Sequence, residues 1–172
     1  MDQEFLNPQQ ILNQLELRKD MTAADFGCGS GGWVIPLAKK LEDGEVYAID
    51  ILEEPLSALS GKAKLQKISN IQTMIADVEK DSKLSAEFCD LVLMTNLLFQ
   101  CEDKKSVLAE GKRVLKKGAK LLVIDWKKEA PVGPKEGRIS AQEIKNLAGE
   151  VGLKPEREFS AGTYHYALMF SK

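Results

Sequence analysis

Apolar residues recur along the chain in two patterns, short continuous runs and longer stripes with helical spacing. Short runs bounded by polar residues predict strands, whereas apolar residues at i, i+3 and i+4 predict amphipathic helices. Residues 90–95 are apolar almost throughout, which is typical of a central parallel strand covered on both faces. The predicted strands are residues 21–26, 45–49, 72–76, 90–95, 120–126, 156–159 and 164–170.

The helical stripes fall between these runs and carry recognisable start signals. Asn7 before Pro8 suits an N-cap followed by the first helical position, so a helix should begin there. Ser140 and Glu143 have the spacing of a capping box. The predicted helices lie within residues 8–17, 33–43, 55–67, 104–117 and 141–151.

The order of these elements predicts the fold class. Five strand-then-helix alternations followed by a hairpin over residues 156–170 indicate a doubly wound α/β sheet with helices on both faces. At 172 residues the chain has the length of a single domain, residues 1–172. The N-terminal helical segment, residues 1–20, could be a lid or a plain packing helix.

Composition narrows the classes of function. The net charge of −2 and the pI of about 5.6 provide no general basic field, so nucleic acid is not a favoured partner. Three cysteines without C-x-x-C spacing indicate reduced thiols in a cytoplasmic protein, with no zinc or other metal site. The acidic N-terminus is unlike a signal peptide, and no apolar run approaches the ~20 residues that span a bilayer.

A glycine-rich turn follows the first predicted strand and opens a helix. Gly27, Gly29 and Gly31 stand at every second position, and glycine allows both unusual backbone angles and close approach of a ligand. The free N–H groups of the following helix point at the same place. The turn fits two patterns: G-x-G-x-x-G through Gly32, and acidic-x-G-x-G-x-G through Asp25. A small polar ligand is therefore expected at this strand end.

Two acidic residues end the next two predicted strands. Asp50 lies about 20 residues beyond Gly29, the offset of a carboxylate that holds a ribose. Asp77 could accept a hydrogen bond from an adenine amino group, with the Val78 N–H meeting a ring nitrogen. Asp77 alone equally suits a turn or a cap.

The acidic glycine pattern resembles motif I of class I S-adenosylmethionine (SAM)-dependent methyltransferases, and the likeness extends over nearly the whole chain. A second, shorter likeness over residues 125–128, 133–134 and 138 is to methyltransferases related to the ubiquinone and menaquinone biosynthesis type. The segments that carry the main resemblance are DFGCGSG (residues 25–31), AID (48–50), AD (76–77), CDLVLMTN (89–96) and the LKKG helix end (115–118).

This resemblance implies a seven-stranded, mostly parallel sheet with an antiparallel last strand. It also implies SAM as the cofactor and S-adenosylhomocysteine (SAH) as its product. The glycine turn and Asp25 would lie at the methionine part, Asp50 at the ribose, and Asn96 beside the transferred methyl. The implied cofactor-binding residues are Asp25, Gly27, Cys28, Gly29, Gly31, Asp50, Ile51, Asp77, Val78, Asn96 and Leu97.

No catalytic residue follows from the motifs. A sulfonium already activates the methyl group, so the protein mainly aligns a nucleophile and excludes water. A general base is optional and depends on the nucleophile. The candidates that would face the acceptor are Asp125, Lys127, Arg138, Tyr164 and His165.

Three functions remain open at this stage. The working hypothesis is a SAM-dependent methyltransferase whose acceptor, a small molecule or a protein side chain, is unidentified, with a site that dimerisation could close. An NAD(P)-binding oxidoreductase domain is the alternative, although the chain is short for two nucleotide-binding halves and a substrate domain. A non-catalytic SAM-binding partner subunit is the third. Asn96 is not followed by Pro-Pro-aromatic, which disfavours methylation of nucleic-acid bases.

Overall fold

The computed structural model describes residues 6–172 and places seven strands in one sheet. The sheet order is β3-β2-β1-β4-β5-β7-β6. The first five strands pair in parallel, and β7 pairs antiparallel with both β5 and β6. The predicted mostly parallel sheet with an antiparallel last strand is confirmed. The strands are β1 Thr22–Phe26, β2 Glu45–Asp50, β3 Ile71–Ile75, β4 Cys89–Thr95, β5 Leu115–Trp126, β6 Lys154–Ser160 and β7 His165–Ser171.

Helices cover both faces of this sheet, as predicted. The helices are α1 Pro8–Leu12, α2 Val34–Lys40, α3 Glu53–Leu65, α4 Lys104–Val114 and α5 Ala141–Glu150. Buried residues of α1, α2 and α3 share one apolar cluster, whereas those of α4 and α5 belong to another. None of the helices formed by residues 6–172 has the length and apolarity that crossing a bilayer requires.

The sheet order places the loops that can bind a ligand. β1 and β4 lie side by side at the centre, and the chain leaves them toward opposite edges. In such sheets ligands bind outside the carboxyl ends of the strands at this switch point. The loops after β1, β2 and β4 therefore meet at one end, and β4 is buried on both faces as its apolar sequence predicts.

The first helix is shorter than predicted. Asn7 caps it as expected, since its side chain accepts a hydrogen bond from the Gln10 N–H at 3.2 Å. The helix ends at Leu12 rather than residue 17. Asn13 is a poor helix former. Because the chain leaves the helix there, Leu15 packs against the apolar cluster that contains the buried residues of α1, α2 and α3. Residues 1–5 of the predicted segment 1–20 lie outside the described residues, and a lid role for that segment stays a prediction.

The count of five strand-then-helix alternations is one too many, since neither the predicted nor the observed helices include one after β3. Residues 76–88, between β3 and β4, contain no helix. Polar contacts hold this connection instead: the Asp77 carbonyl accepts from the Lys80 and Asp81 N–H groups, and the Glu110 carboxylate accepts from the Ser82 N–H. Four alternations remain, which is enough to keep the doubly wound arrangement.

The segment LKKG, residues 115–118, is strand rather than the predicted helix end. Helix α4 stops at Val114, and Leu115 takes extended angles, is fully buried and pairs with Cys89 in β4. Burying the Leu115 side chain in the sheet outweighs continuing the helix. The Lys172 side chain also donates to the Leu115 carbonyl at 2.7 Å.

Candidate active site

The glycine turn after β1 has the geometry that its spacing predicts. Gly27, Gly29 and Gly31 have φ values of +70°, +52° and +88°, in the left-handed region that disfavours other residues. A Cβ built on Gly27 would lie 2.6 Å from the Leu97 Cδ1 atom. This close approach brings the turn after β1 against the loop after β4.

Hydrogen bonds join the turn to the end of β2. The Gly27 and Cys28 N–H groups donate to the Ile49 carbonyl at 2.8 and 3.0 Å. The Gly29 N–H donates to Asp50 Oδ2 at 2.9 Å, and the Leu52 N–H donates to Asp50 Oδ1 at 3.0 Å. An ionised carboxylate can accept about four hydrogen bonds, so Asp50 retains capacity for two more.

Bare apolar surface lies beside this carboxylate. Ile51 and Leu52 directly follow Asp50 and are 61% and 60% exposed. Ile75, which ends β3 and pairs with Asp50, is about half exposed. An acidic group next to exposed aliphatic side chains suits a ligand that joins a polar sugar to an apolar flat ring.

Asp25 is fully buried beneath the turn, and its carboxyl group has no hydrogen-bond partner within residues 6–172. Burial raises its pKa well above the usual range, and the nearby Asp50 charge adds to the effect. Burial therefore favours the protonated form of Asp25 in the free protein. Burial, with the same two acidic neighbours, also raises the pKa of the Cys28 thiol, which donates a weak hydrogen bond to the Gly29 carbonyl.

Asn96 supplies another unsatisfied acceptor, at the end of β4. Its backbone takes φ +50° and its N–H donates to the Ile124 carbonyl at 2.8 Å. Its side-chain oxygen is buried and has no partner in the described part of the chain. A buried polar group without a partner costs roughly 1–3 kcal/mol. The oxygens of Asp25 and Asn96 thus favour a hydrogen-bond donor, such as a ligand ammonium, at the β1–β4 junction.

Asp77 and Val78 lie in the turn after β3. Asp77 Oδ1 accepts from the Glu79 N–H at 3.1 Å, and Oδ2 pairs with Lys80 Nζ at 2.9 Å. The Lys80 hydrogen bond is the main reason that the pKa of Asp77 lies below its usual value. The turn role that the sequence allowed is therefore present. Lys80 is 83% exposed and can move aside, so the adenine contact stays a prediction.

Among the acceptor-side candidates, Asp125 serves the local backbone. Its carboxylate accepts from the Phe99 N–H at 3.2 Å and from the Trp126 N–H at 2.8 Å. Burial raises its pKa to about 6, against the opposing effect of these hydrogen bonds. Asp125 thereby anchors Leu98–Gln100, a single 3-10 turn that the sequence did not predict.

Arg138 and Lys127 hold the loop of residues 127–139. Arg138 Nη1 donates to the carbonyls of Lys127, Lys128 and Ala130 at 3.3, 3.1 and 2.6 Å, and Nη2 donates to that of Val132. Lys127 Nζ donates to the Thr163 carbonyl at 3.0 Å. Both cations are thus committed to backbone oxygens.

His165 and Tyr164 lie where β7 begins. His165 is 5% exposed and its ring centroid is 4.1 Å from that of Trp126. Neither ring nitrogen has a hydrogen-bond partner among residues 6–172. Burial lowers the pKa of His165 to about 4, and the charges of Lys127 and Arg138 contribute. Tyr164 is also buried, and its carbonyl accepts from the Lys127 N–H.

Three residues at this end of the sheet escaped the sequence reasoning. Leu52 exposes apolar surface, and its N–H donates a hydrogen bond to Asp50. The sequence signal for it is the Ile51-Leu52 pair, at a place where polar turn residues are usual. Trp126 packs under Gly133, whose built Cβ would lie 2.5 Å from the ring. Lys62 Nζ donates to the Ser30 carbonyl at 3.0 Å, a contact across 32 residues that no local pattern could indicate.

The opposite end of the sheet has a groove of about 530 Å³ that is separate from this site. Met21 and Asp90, at the amino ends of β1 and β4, lie along it. Lys116 and Lys120 beside it are paired with Asp90 and Glu156. The volume of a groove therefore does not by itself show which end of the sheet is functional. Within the described residues, no three His, Cys, Asp or Glu side chains are grouped to hold a metal.

Comparison with known proteins agrees with this geometry. A family model described as "Methyltransferase domain" matches residues 24–123. The crystal structure of a SAM-dependent methyltransferase from Aquifex aeolicus superposes with a TM-score of 0.88 at 29% identity, covering 96% of this chain and 89% of that one. The cyclase SpnF gives a TM-score of 0.85 at 12% identity, over 96% of this chain and 79% of its own, which shows a shared fold alone.

Curated relatives are longer than this chain. Demethylmenaquinone methyltransferase of Bacillus mycoides is 25% identical over 154 residues, which cover 88% of this chain but 65% of that protein. The same enzyme of Lactiplantibacillus plantarum is 30% identical over 118 residues, 68% of this chain and 50% of that protein. The chain thus spans about half to two thirds of the relatives it matches.

Proposed function

The chain belongs to the class I SAM-dependent methyltransferase domain family, and on that basis we propose that it binds SAM across the carboxyl ends of β1, β2 and β4 and methylates an acceptor not yet identified. The observation that carries the proposal is the Gly29–Asp50 hydrogen bond beside the unsatisfied oxygens of Asp25 and Asn96. Asp50 can accept hydrogen bonds from hydroxyl groups, and the oxygens of Asp25 and Asn96 can accept them from a cationic group.

Each part of the site would hold a different part of SAM. The two remaining acceptor positions of Asp50 suit the ribose hydroxyls, and Ile51 offers apolar surface to the adenine. Asp77 and Val78 would contact the adenine edge after Lys80 moves. Asp25 and the Gly27–Leu97 contact would lie at the methionine part, with Asn96 beside the methyl group.

The chemistry asks little of the protein beyond placement. SAM supplies a methyl group on a sulfonium, whose positive charge disappears as the methyl leaves. The protein must align the acceptor behind that methyl and exclude water. The loop of residues 127–139, held by Arg138, and the 3-10 turn held by Asp125 would form the acceptor side. A homodimer that closes the site remains a prediction.

The two alternatives are less well supported. A dinucleotide-binding sheet of the Rossmann type continues with parallel strands, whereas β7 here is antiparallel to β5. The buried acceptors do not separate catalysis from a non-catalytic role, since they would hold SAM in both, and the family match favours the enzyme. Because fold alone does not decide chemistry, only turnover excludes that role.

The test is methyl transfer by the purified chain. Methyl-tritiated SAM is incubated with the protein and panels of small hydroxyl, amine and thiol compounds and of protein extracts, and SAH formation is followed. We expect SAH to form only with certain acceptors. SAH binding without turnover on any acceptor, also after addition of a cell lysate, would instead support the partner-subunit alternative.

A further inference from the structure

The His165 ring is an unexplained polar group on the acceptor side. It is 5% exposed, and both of its nitrogens lack a partner in the part of the chain that the structure describes. A neutral imidazole has one N–H donor and one acceptor nitrogen, and burying both unpaired costs free energy. If this side chain only filled space in the core, an apolar residue would be more stable there. The ring therefore needs a partner that residues 6–172 do not supply.

Strand pairing places His165 at the end of the sheet where Asn96 lies. His165 pairs with Trp126, two residues beyond Ile124 in β5. The Ile124 carbonyl accepts from the N–H of Asn96, the residue proposed to border the methyl group. His165 therefore lies on the strand beside the one that Asn96 contacts, at the same end of the sheet.

The walls around the ring are aromatic and fixed. The Trp126 and His165 rings pack with their centroids 4.1 Å apart. The Arg138 guanidinium carbon lies 5.8 Å from the centroid of the Trp126 ring. Gly133 also packs against Trp126. Since Arg138 ties the loop to four of its carbonyls, the imidazole is held in place.

Resting on the proposed methyltransferase function, we propose that His165 contacts the methyl acceptor directly, accepting a hydrogen bond from its hydroxyl group and taking that proton during methyl transfer. The acceptor is a neutral hydroxyl compound rather than an amine. As the oxygen–carbon bond forms, the carbon–sulfur bond breaks and its electron pair stays on sulfur. The hydroxyl proton moves to the imidazole nitrogen and from there to water.

The charges near the ring support a hydroxyl over an amine. Within residues 6–172, Lys127 at the end of β5 and Arg138 in the following loop are the charged groups that act on His165. Asp125 is adjacent in sequence, but successive strand residues point to opposite faces, so its carboxylate is on the other side. No carboxylate of residues 6–172 acts on the ring beside these two cations, so they repel an alkylammonium, which is the resting form of most amines at neutral pH.

The same charges explain how a weak base suffices. Burial, Lys127 and Arg138 keep the imidazole neutral down to about pH 4. A methylated oxygen that still carries its proton is a far stronger acid than imidazolium. Proton transfer late in the reaction is therefore downhill, and the imidazolium then loses its proton readily because of the neighbouring cations.

The test uses the fact that His165 is the only histidine of the chain. Tag-free protein labelled with ¹⁵N in histidine is saturated with SAH, whose binding is first verified by calorimetry. We expect catechol and benzyl alcohol, but not benzylamine, to shift one ring-nitrogen resonance. No shift with either hydroxyl probe, or an equal shift with benzylamine, overturns the proposal. Failure to bind SAH at all would instead count against the proposed function.

Turnover variants provide the second arm. With the best hydroxyl acceptor, His165→Phe should lower kcat roughly 100-fold, within the range of general base catalysis, whereas His165→Gln keeps part of the rate through its hydrogen bond. SAH affinity should stay within about twofold in both variants, since His165 lies outside the cofactor residues. The wild-type kcat should not fall between pH 8 and pH 5. Unchanged kcat in His165→Phe, or an acid limb near pH 6.5, overturns the proposal.

Discussion

The Gly29 N–H donates to the Asp50 carboxylate at 2.9 Å, joining the glycine turn after β1 to the end of β2. These residues are 21 positions apart and belong to the two motifs that the sequence pairs as a nucleotide site. Asp50 also accepts from the Leu52 N–H, so one carboxylate fixes both loops before any ligand binds. Preorganisation of this kind lowers the cost of ordering the site on binding.

Replacing Asp50 should separate its role in the loops from its role toward a ligand. Asp50→Ala removes both loop hydrogen bonds and the proposed ribose contacts, and we expect SAH affinity to fall about 100-fold or more, since hydrogen bonds to a charged group contribute ~1.5–3 kcal/mol each. Asp50→Asn keeps one acceptor oxygen and should lose less. Calorimetric titration with SAH measures both, and equal affinities for the three proteins would contradict this role.

Gly27→Ala should destabilise the protein and remove cofactor binding. The substitution places a Cβ at φ +70° and 2.6 Å from Leu97, and such strain together with a clash costs on the order of 1–3 kcal/mol. Urea unfolding gives the stability and calorimetry the SAH affinity.

Gly61→Ala is the matched control. Gly61 lies inside α3, and nothing lies within 4 Å of its built Cβ. This variant should gain about 0.5–1 kcal/mol of stability because alanine is the better helix former. No loss of stability in Gly27→Ala, or an equal loss in Gly61→Ala, would show that the backbone account of the turn is wrong.

Asp25 should make the free protein less stable as the pH rises. The unfolded chain releases the Asp25 proton near its ordinary pKa of about 3.9, whereas the folded chain keeps it because burial raises the pKa. Between these two pKa values the folded state binds more protons, so the free energy of unfolding falls with pH by up to about 1.4 kcal/mol per unit. Asp25→Asn does not titrate.

The difference between the two proteins isolates this effect from other titrating groups. Urea unfolding without ligand from pH 3 to pH 8 should show Asp25→Asn gaining on the wild type above about pH 4 and then levelling off. A constant difference across that range would mean that Asp25 titrates normally in the folded protein.

Arg138→Lys should loosen the loop of residues 127–139 without unfolding the protein. A lysine cannot donate to four separate carbonyls as the guanidinium does. We expect faster amide exchange within the loop and nearly unchanged SAH affinity. Arg157→Lys on the exposed strand β6 is the control and should leave the loop protected. Protection equal to wild type in Arg138→Lys would show that other contacts hold the loop.

The sheet could be predicted because its signals are local. The apolar run of β4, the Asn7 cap and the Ser140 capping box each depend on neighbouring residues and are present in the structure. The predictions are wrong where contacts between residues far apart in the sequence determine the local structure. Leu115 joins the sheet because it pairs with Cys89, and the β3–β4 connection is fixed by Glu110 of α4. Neither partner is indicated by the local sequence.

The candidate site divides in the same way. The glycine turn and Asp50 follow from spacing along the chain, and the structure brings them together. The acceptor side could be listed from the sequence but not interpreted, because the roles of Arg138 and Asp125 depend on which backbone groups fold around them. The pairing of Trp126 with His165 follows from antiparallel register, which a sequence pattern does not fix.

The most direct measurement is calorimetric titration of the purified chain with SAM, SAH, NAD⁺ and NADP⁺, alongside Asp50→Ala. The account predicts that SAM and SAH each bind the wild-type chain at one site, that the variant binds both far more weakly, and that the dinucleotides give no saturable heat. Tight binding of NAD⁺ or NADP⁺ without binding of SAH, or SAH binding that is indifferent to Asp50, would contradict it.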